Sequence, residues 1–262
     1  MIALIEIPVG PIWTISDVRL PADEPSTVLV GFALGLLGAF VAYLFVKFHT
    51  AVMGYLQGAG LLDNKKAIYR ALFGLCGILP LGLLVPHTLF WGEEEIQVIA
   101  NGRPASELPH MFPTWGISGF EMDTPLNAFI VGATKMIAIS FTVSGGYRGG
   151  FIFPFFAAGS AFGRCLYMLL PKITCLTPQV ASLCFAAGIN VAITRTALAT
   201  TVILSALSGE INANSPILAA SMASIFATAY MPFMSTQIAR EDLMYEFSVS
   251  DRSDDHEDDE KH

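Results

Sequence analysis

The stretch of this sequence with the strongest chemical character is a glycine-rich segment that leads into an apolar run. Residues 144–154 read Ser-Gly-Gly-Tyr-Arg-Gly-Gly-Phe-Ile-Phe-Pro, so four glycines occur within six positions. Glycine permits positive φ angles and lets the main chain come close to a ligand. Pro154 stands where the apolar run begins, and proline is favoured in the first turn of a helix. The pattern predicts a glycine loop that leads directly into the N-terminus of a helix.

A helix N-terminus of this kind can bind an anion without a cationic side chain. Its first N–H groups have no partner within the helix, and the positive end of the helix dipole lies at the same place. Such a site suits chloride conduction, because a full charge pair in a medium of low dielectric constant would hold the ion too tightly for release. The residues alone leave a second interpretation open, in which the glycines only let helices touch.

The elements that must position this segment are membrane helices. Only 14% of the 262 residues are charged and 53% are hydrophobic, whereas a soluble domain carries about a quarter charged residues. Residues Ser26–Val46 form an uncharged run of the length that crosses a bilayer. Gly31, Gly35 and Gly38 fall on one face of this predicted helix. Small residues on one face let another membrane helix approach closely.

The rest of the chain is predicted to add further helices. A second uncharged run covers Ala71–Trp91, and we expect a loop over Phe48–Arg70 between the two runs. The block Pro125–Gln237 has few charges but many glycines and prolines. This composition favours short, broken or re-entrant helices, which are tolerated at membrane depth where they pack in protein or line a wet cavity. The predicted fold is therefore an all-α integral membrane bundle of spanning and broken helices.

The charge distribution gives the domain bounds and excludes some functions. We predict an N-terminal extension over 1–25, a membrane domain over 26–239 with an extramembrane loop at 92–124, and a disordered acidic tail over 240–262. The tail holds ten acidic and three basic residues, which is most of the formal net charge of -8. No basic stripe remains elsewhere, so nucleic-acid binding is not expected. The glutamates at 93–95 are interpreted as a solvated turn, with cation binding as the second interpretation.

Metal-dependent and enzymatic functions have little support. The four cysteines lie in apolar stretches without the spacing of metal ligands, so no metal site and no cofactor are predicted. His49, His87 and His110 are scattered, and no catalytic motif accompanies them. We therefore expect no catalytic residues and interpret the chain as a non-enzyme.

The glycine segment resembles a motif of a known family. Gly-Gly-Phe-Ile-Phe-Pro at 149–154, followed by Gly159, is similar to the G-G-x-F-x-P…G element of the CLC chloride channels and chloride/proton antiporters, with a variant closest to a prokaryote-like branch. The resemblance implies that the N–H groups of Phe151 and Ile152 face a central chloride. It implies an anion-binding set that consists of Gly149, Gly150, Phe151, Ile152 and Pro154.

Other positions carry the resemblance further along the chain. Residues 187–198, around Arg195, resemble the family's A-x-x-R-A-P-L helix, with Ala197 in place of the proline. Arg195 is interpreted as a structural residue that satisfies carbonyl groups or an acidic partner within the bundle. Arg148 and Gln237 are candidate pathway residues, the second because it stands where the family has a late tyrosine. Tyr230, seven residues earlier, is the alternative for that position.

The resemblance covers only part of the family's fold. Its G-S-G-I-P and G-x-E-G-P loops do not occur in the sequence, so the chain resembles the second half of an inverted-repeat fold. We expect a multi-pass membrane protein that transports chloride or another small anion as part of a CLC channel or antiporter. Its expected partners are the lipid bilayer and either a second copy or the missing N-terminal half. The alternative is a truncated, non-conducting half that only dimerises or assembles with a partner.

Overall fold

The computed structural model describes residues 11–15, 24–109 and 120–231. Within these residues all regular structure is helical, so the all-α prediction is confirmed. The α-helices of this part of the chain are α1 (Pro25–Gly58), α2 (Ala67–Leu84), α3 (Glu95–Ala100), α4 (Pro125–Ser144), α5 (Ile152–Leu169), α6 (Pro178–Thr194), α7 (Ala197–Ser208) and α8 (Asn214–Ala227).

The helices differ in whether they are long enough to cross a membrane. By length and composition, α1, α2, α4 and α5 could each do so. The helices α6, α7 and α8 have 17, 12 and 14 residues, so each is shorter than any of these four. Short helices therefore follow the long ones within the glycine- and proline-rich block, as its composition predicts.

Two of the helices begin at positions that the sequence encodes locally. The hydroxyl oxygen of Thr124 accepts a hydrogen bond from the N–H of Asn127 at 3.1 Å, at the start of α4. The hydroxyl of Thr177 accepts from the N–H of Val180 at 3.2 Å, at the start of α6. A proline follows each threonine, at a position where the missing N–H costs the helix nothing. Side-chain capping therefore fixes the N-termini of α4, which leads into the glycine segment, and of α6.

The first helix is longer than predicted. The expectation of a loop over Phe48–Arg70 is wrong at both ends, since α1 continues to Gly58 and α2 begins at Ala67. Residues 48–58 contain no proline to end the helix. The ammonium of Lys47 lies 5.5 Å from the ring centre of Tyr43, one turn earlier. A lysine with an aromatic neighbour keeps its charge on the helix surface, so it does not stop the helix.

The small-residue face of α1 allows the close approach that the sequence predicts. A Cβ atom placed on Gly38 would lie 2.8 Å from the Cα of Gly188 in α6. Gly31 and Gly35 face the main chain of α8 in the same way. No side chain fits between these backbones, so the prediction of close helix contact is confirmed.

The centre of the bundle is α6. It packs against α1, α5 and α8, and its residues from Gln179 to Ile193 are all buried. A helix that is apolar on every side is typical of such a position. Helix α4 packs on α5, whose residues Phe155–Gly163 are also buried. This pairing places the α4–α5 connection, which carries the glycine segment, at the end of two well-packed helices.

The predicted extramembrane segment 92–124 is partly folded. Helix α3 lies within it and buries Ile96 and Ile99. The indole N–H of Trp13 donates to the carbonyl of Glu93 at 2.6 Å, which attaches residues 11–15 to this region. Glu95 is fully buried, so the interpretation of 93–95 as a solvated turn is wrong at that residue. The predicted tail, 240–262, lies outside the described residues, and the predicted domain bounds stay a prediction.

Candidate functional site

The glycine segment connects α4 to α5 through a tight turn. After α4 ends, the N–H of Gly145 donates to the carbonyl of Phe141 at 2.8 Å and that of Gly146 donates to Val143 at 3.0 Å. Gly146 has a φ of +82°, which is costly for any residue with a Cβ atom. The chain is then irregular until α5 begins at Ile152. This is the loop-to-helix arrangement that the glycine pattern predicts.

Two hydrogen bonds to the start of α2 hold this connection in place. The Nε of Arg70 donates to the carbonyl of Ser144 at 2.7 Å. The hydroxyl of Tyr147 donates to the carbonyl of Ala71 at 2.9 Å. Both ends of the turn are therefore attached to α2, which fixes the direction in which the glycine segment leaves α4.

The N-terminus of α5 presents main-chain donors without acceptors. In the part of the chain that the structure describes, no acceptor is hydrogen-bonded to the N–H groups of Phe151, Ile152 or Phe153. Pro154 has no N–H, and the first hydrogen bond of the helix runs from Phe155 N–H to the carbonyl of Phe151 at 3.1 Å. The unsatisfied donors and the positive end of an 18-residue helix therefore coincide.

A cavity of about 230 Å³ lies beside this helix start. Its walls are the glycine segment, one face of α4 and the segment 88–91 that follows α2. Ile152 does not line it, and its side chain is 37% exposed. Four members of the predicted set do line it, namely Gly149, Gly150, Phe151 and Pro154. The structure thus brings most of the predicted residues to one concave surface.

Lys135 is a residue of this surface that sequence reasoning did not single out. Its side chain is 2% exposed and lines the cavity from α4. Its ammonium donates to the carbonyl of Thr88 at 3.2 Å and also to the carbonyl of Phe90. The sequence feature that could have identified Lys135 is that it is the one charged residue in α4. An ionisable residue in a membrane helix is expected to face the bundle interior or a wet cavity.

The other predicted residues lie elsewhere. Arg148 is exposed within the glycine segment but does not line the cavity. Arg195 ends α6 with a φ of +63° and donates from its guanidinium to the hydroxyl of Thr228 at 2.9 Å and to the carbonyl of the same residue. It therefore ties the end of α6 to the end of α8, away from the cavity residues. Gln237 is outside the described residues.

A buried histidine precedes the cavity segment 88–91. His87 is fully buried, and its Nε2 donates to the carbonyl of Arg103 at 3.1 Å. Its Nδ1 has no hydrogen-bond partner within the described ranges, and its ring packs edge-on against Phe120. Burial lowers the pKa of His87 to about 4. The ring is therefore neutral at pH 7, and the positive charge at this cavity comes from Lys135.

These features define a class of protein and then a family. Apolar helices of spanning length, shorter helices packed with them and a helix N-terminus that follows a glycine loop together form an all-helical membrane fold. The chain belongs to the voltage gated chloride channel family, whose sequence profile matches residues 12–229. It is therefore an integral, multi-pass membrane protein of a chloride channel and transporter family, and the family assignment drawn from the glycine segment is confirmed. The search of curated proteins gives no match.

Proposed function

We propose that this chain takes part in chloride transport across a membrane, as a channel or a chloride/proton antiporter. In this proposal the N–H groups of Phe151 and Ile152 hold the anion at the start of α5. The observation that carries it is the absence, within the described residues, of any acceptor for these donors at the end of a long helix dipole. The cavity alongside gives the ion room to approach.

The affinity expected of such a site for chloride suits transport of the ion rather than permanent binding. A hydrogen bond to a charged group contributes about 1.5–3 kcal/mol net, so two of them give roughly 3–6 kcal/mol. That range corresponds to dissociation constants from several millimolar to tens of micromolar. An ion held at this strength can be released, whereas a directly paired, fully buried cation would slow its exit.

The site is open on one side, which supports a role within an assembly. Gly149 and Gly150 are exposed, and a Cβ atom added to either would meet nothing within 4 Å. An anion there needs a second wall to exclude lipid and water, so we propose that a second copy or another membrane half supplies it. Liposomes that hold this chain alone should then release little chloride. Rapid release from them would contradict the need for a partner.

The proposed site can be tested with a substitution that leaves the fold unchanged. Gly150→Val adds a branched side chain in open space, at a residue without a positive φ, so the protein itself has no clash to relieve. The added methyl groups would occupy the space in front of the amides. We expect chloride binding to the purified chain in nanodiscs to weaken at least tenfold, measured by calorimetric titration. Binding is the primary measurement, because it does not require a complete pathway across the membrane.

Gly58→Val is the matched control. A Cβ atom on Gly58 also meets nothing within 4 Å, and Gly58 lies at the end of α1. We expect this variant to bind chloride as the unmodified chain does and both variants to melt at similar temperatures. Equal chloride binding by the Gly150 and Gly58 variants would overturn the proposed site.

A further inference from the structure

The connection between α1 and α2 carries an excess of positive charge. Its residues 59–66 include Lys65 and Lys66, and Asp63 is the one acidic residue among them. Both lysines are exposed, and no carboxylate oxygen of the described residues lies within 4.0 Å of either ammonium. Asp63 instead accepts a hydrogen bond from the main-chain N–H of Lys65 at 3.0 Å. The two ammonium groups are therefore available to an anionic partner.

Aromatic contacts indicate the depth at which this connection lies. Phe73 of α2 packs against Tyr55 of α1, with 6.2 Å between the ring centroids, and against Phe141 of α4 at 5.5 Å. Helix α4 ends three residues after Phe141, at Ser144. Its 20 residues rise about 30 Å, which is the thickness of the hydrocarbon core of a bilayer. One boundary of the hydrocarbon therefore lies near these three rings.

Lys65 and Lys66 lie outside this boundary, at the depth of lipid headgroups. Lys66 is the N-cap of α2, and the rise along the helix from position 66 to Phe73 is about 10 Å. The headgroup layer on each side of the hydrocarbon core is about 5–8 Å thick. A lysine ammonium on its flexible stem reaches this layer from the position of either residue.

The exposed side chains at the start of α2 become apolar towards the membrane interior. Ile68 and Tyr69 in the first turn are exposed, and so is Leu72 one turn further in. Tyr147 is exposed at the same level, since its hydroxyl donates to the carbonyl of Ala71 at 2.9 Å. Tyrosine is enriched where membranes meet water. The order of lysine, tyrosine and leucine matches the order of headgroup and acyl chain in a phospholipid leaflet.

The opposite end of the bundle has the opposite charge. Helix α2 begins beside the lysines and α4 ends near them, so the described part of the segment 85–124, which joins the two helices, lies at the far end. This segment contains six acidic residues and one arginine. Basic residues beside membrane helices favour the cytoplasmic side, where the leaflet carries anionic lipids. The charge difference therefore favours an anionic lipid over a zwitterionic one at Lys65 and Lys66.

We propose that Lys65 and Lys66 form a binding surface for the headgroup of an anionic phospholipid. The phosphate oxygens accept hydrogen bonds from the two ammonium groups, and the acyl chains lie along the exposed face at Ile68 and Leu72. The inference depends on the membrane fold and not on the proposed chloride site, to which neither lysine belongs. A lipid bound here fixes the depth of the start of α2, and this start holds the glycine segment through Arg70 and Ala71.

The first test measures lipid binding to the full chain. Native mass spectrometry of the chain in detergent, titrated with phosphatidylglycerol or with phosphatidylcholine, gives a dissociation constant for each lipid. We expect phosphatidylglycerol to bind at least tenfold more tightly. A lysine near an anionic surface contributes about fivefold in affinity, so Lys65→Gln/Lys66→Gln should weaken phosphatidylglycerol binding at least tenfold. Lys65→Arg/Lys66→Arg keeps both charges and should retain the binding.

Arg103→Gln/Lys172→Gln is the matched control. Both residues are exposed at the far end of the bundle, Arg103 after α2 and Lys172 after α5. This variant loses the same charge and should bind phosphatidylglycerol as the unmodified chain does. Equal binding of phosphatidylglycerol by the two glutamine double variants would overturn the proposal.

The second test uses the unmodified chain, so it does not depend on the folding of a variant. An amine-acylating reagent is added to the chain in nanodiscs of phosphatidylcholine alone or of an equal mixture with phosphatidylglycerol. Lys65 and Lys66 should react several-fold more slowly in the mixed nanodiscs, whereas the reactivity of Lys172 should change less. Equal slowing of all three lysines would indicate a general surface effect and would overturn the proposal.

Two further arms of this test exclude other partners for the lysines. Inorganic phosphate added to the phosphatidylcholine nanodiscs should not protect Lys65 or Lys66. Protection by phosphate alone would indicate a site for the free ion, and the lipid proposal would be wrong. Protection that depends on two copies of the chain in one nanodisc, and not on phosphatidylglycerol, would place the lysines against protein and contradict the proposal as well.

Discussion

The Nε of Arg70 donates a hydrogen bond to the carbonyl of Ser144 at 2.7 Å, across 74 positions of the chain. Ser144 is the last residue of α4, where the helix dipole is negative. That negative end lies a few residues before the segment proposed to bind an anion. Arg70 brings a positive charge to this end of α4. The repulsion between the negative end of the helix dipole and an incoming anion is therefore reduced.

Replacing Arg70 should therefore weaken both folding and anion binding. We expect Arg70→Ala to lower the free energy of unfolding by about 1 kcal/mol, which is less than the roughly 1.5–3 kcal/mol of a hydrogen bond to a charged group because Arg70 is only half-buried. We also expect chloride binding to weaken, as measured by calorimetric titration. Chemical unfolding in detergent gives the stability.

Arg103→Ala is the matched control for that prediction. Arg103 pairs with Glu107 at 3.1 Å four residues further along, and both side chains are about half exposed. An exposed ion pair contributes about 0.2–1 kcal/mol, and this one is not attached to the glycine segment. Equal losses of stability and of chloride binding in the two variants would show that Arg70 has no special effect at the end of α4.

Two glycines of α1 should respond in opposite ways to the same substitution. A Cβ atom on Gly38 would lie 2.8 Å from the Cα of Gly188, whereas one on Gly54 meets nothing within 4 Å. Gly38→Ala should therefore destabilise the protein by about 1–3 kcal/mol through overpacking. Gly54→Ala should be neutral or stabilise it by up to about 1 kcal/mol, because alanine favours the helix. Melting temperatures that move in the same direction would contradict the close contact of α1 with α6.

His87 predicts a dependence of stability on pH. Its pKa of about 4 in the folded protein is lower than the ordinary value of 6.5, because the ring is buried. Between these two values the unfolded chain binds more protons, so stability falls as the pH is lowered from about 6.5 to 4, by at most about 1.4 kcal/mol per pH unit. Above pH 6.5 this residue gives no dependence.

The contribution of His87 can be isolated with His87→Gln. Glutamine can still donate to the carbonyl of Arg103 but does not titrate. Unfolding free energies measured from pH 7 to pH 4 should therefore fall less steeply for the variant than for the unmodified chain. Parallel curves would mean that His87 has the same pKa in the folded and the unfolded chain, and that the assigned environment is wrong.

Local features of the fold could be predicted from the sequence where a few neighbouring residues decide the structure. The threonine–proline pairs at 124–125 and 177–178 begin α4 and α6 by side-chain capping. The spacing of Gly31, Gly35 and Gly38 indicated a contact face without indicating its partner. The extent of α1 beyond Val46 was missed, since a lysine in a helix can either end a membrane span or lie on the surface of a longer one.

The sequence by itself determined an all-helical membrane protein and a glycine loop that leads into a helix with Pro154 near its start, because helix propensity, capping and hydropathy act over a few residues. Only the tertiary structure decided that Lys135 meets the carbonyls of Thr88 and Phe90, 45 or more positions earlier, beside that loop. Such contacts depend on how helices pack, and packing is set by complementary surfaces that are distant in the chain. The position of the charge at the cavity is therefore a property of the folded bundle.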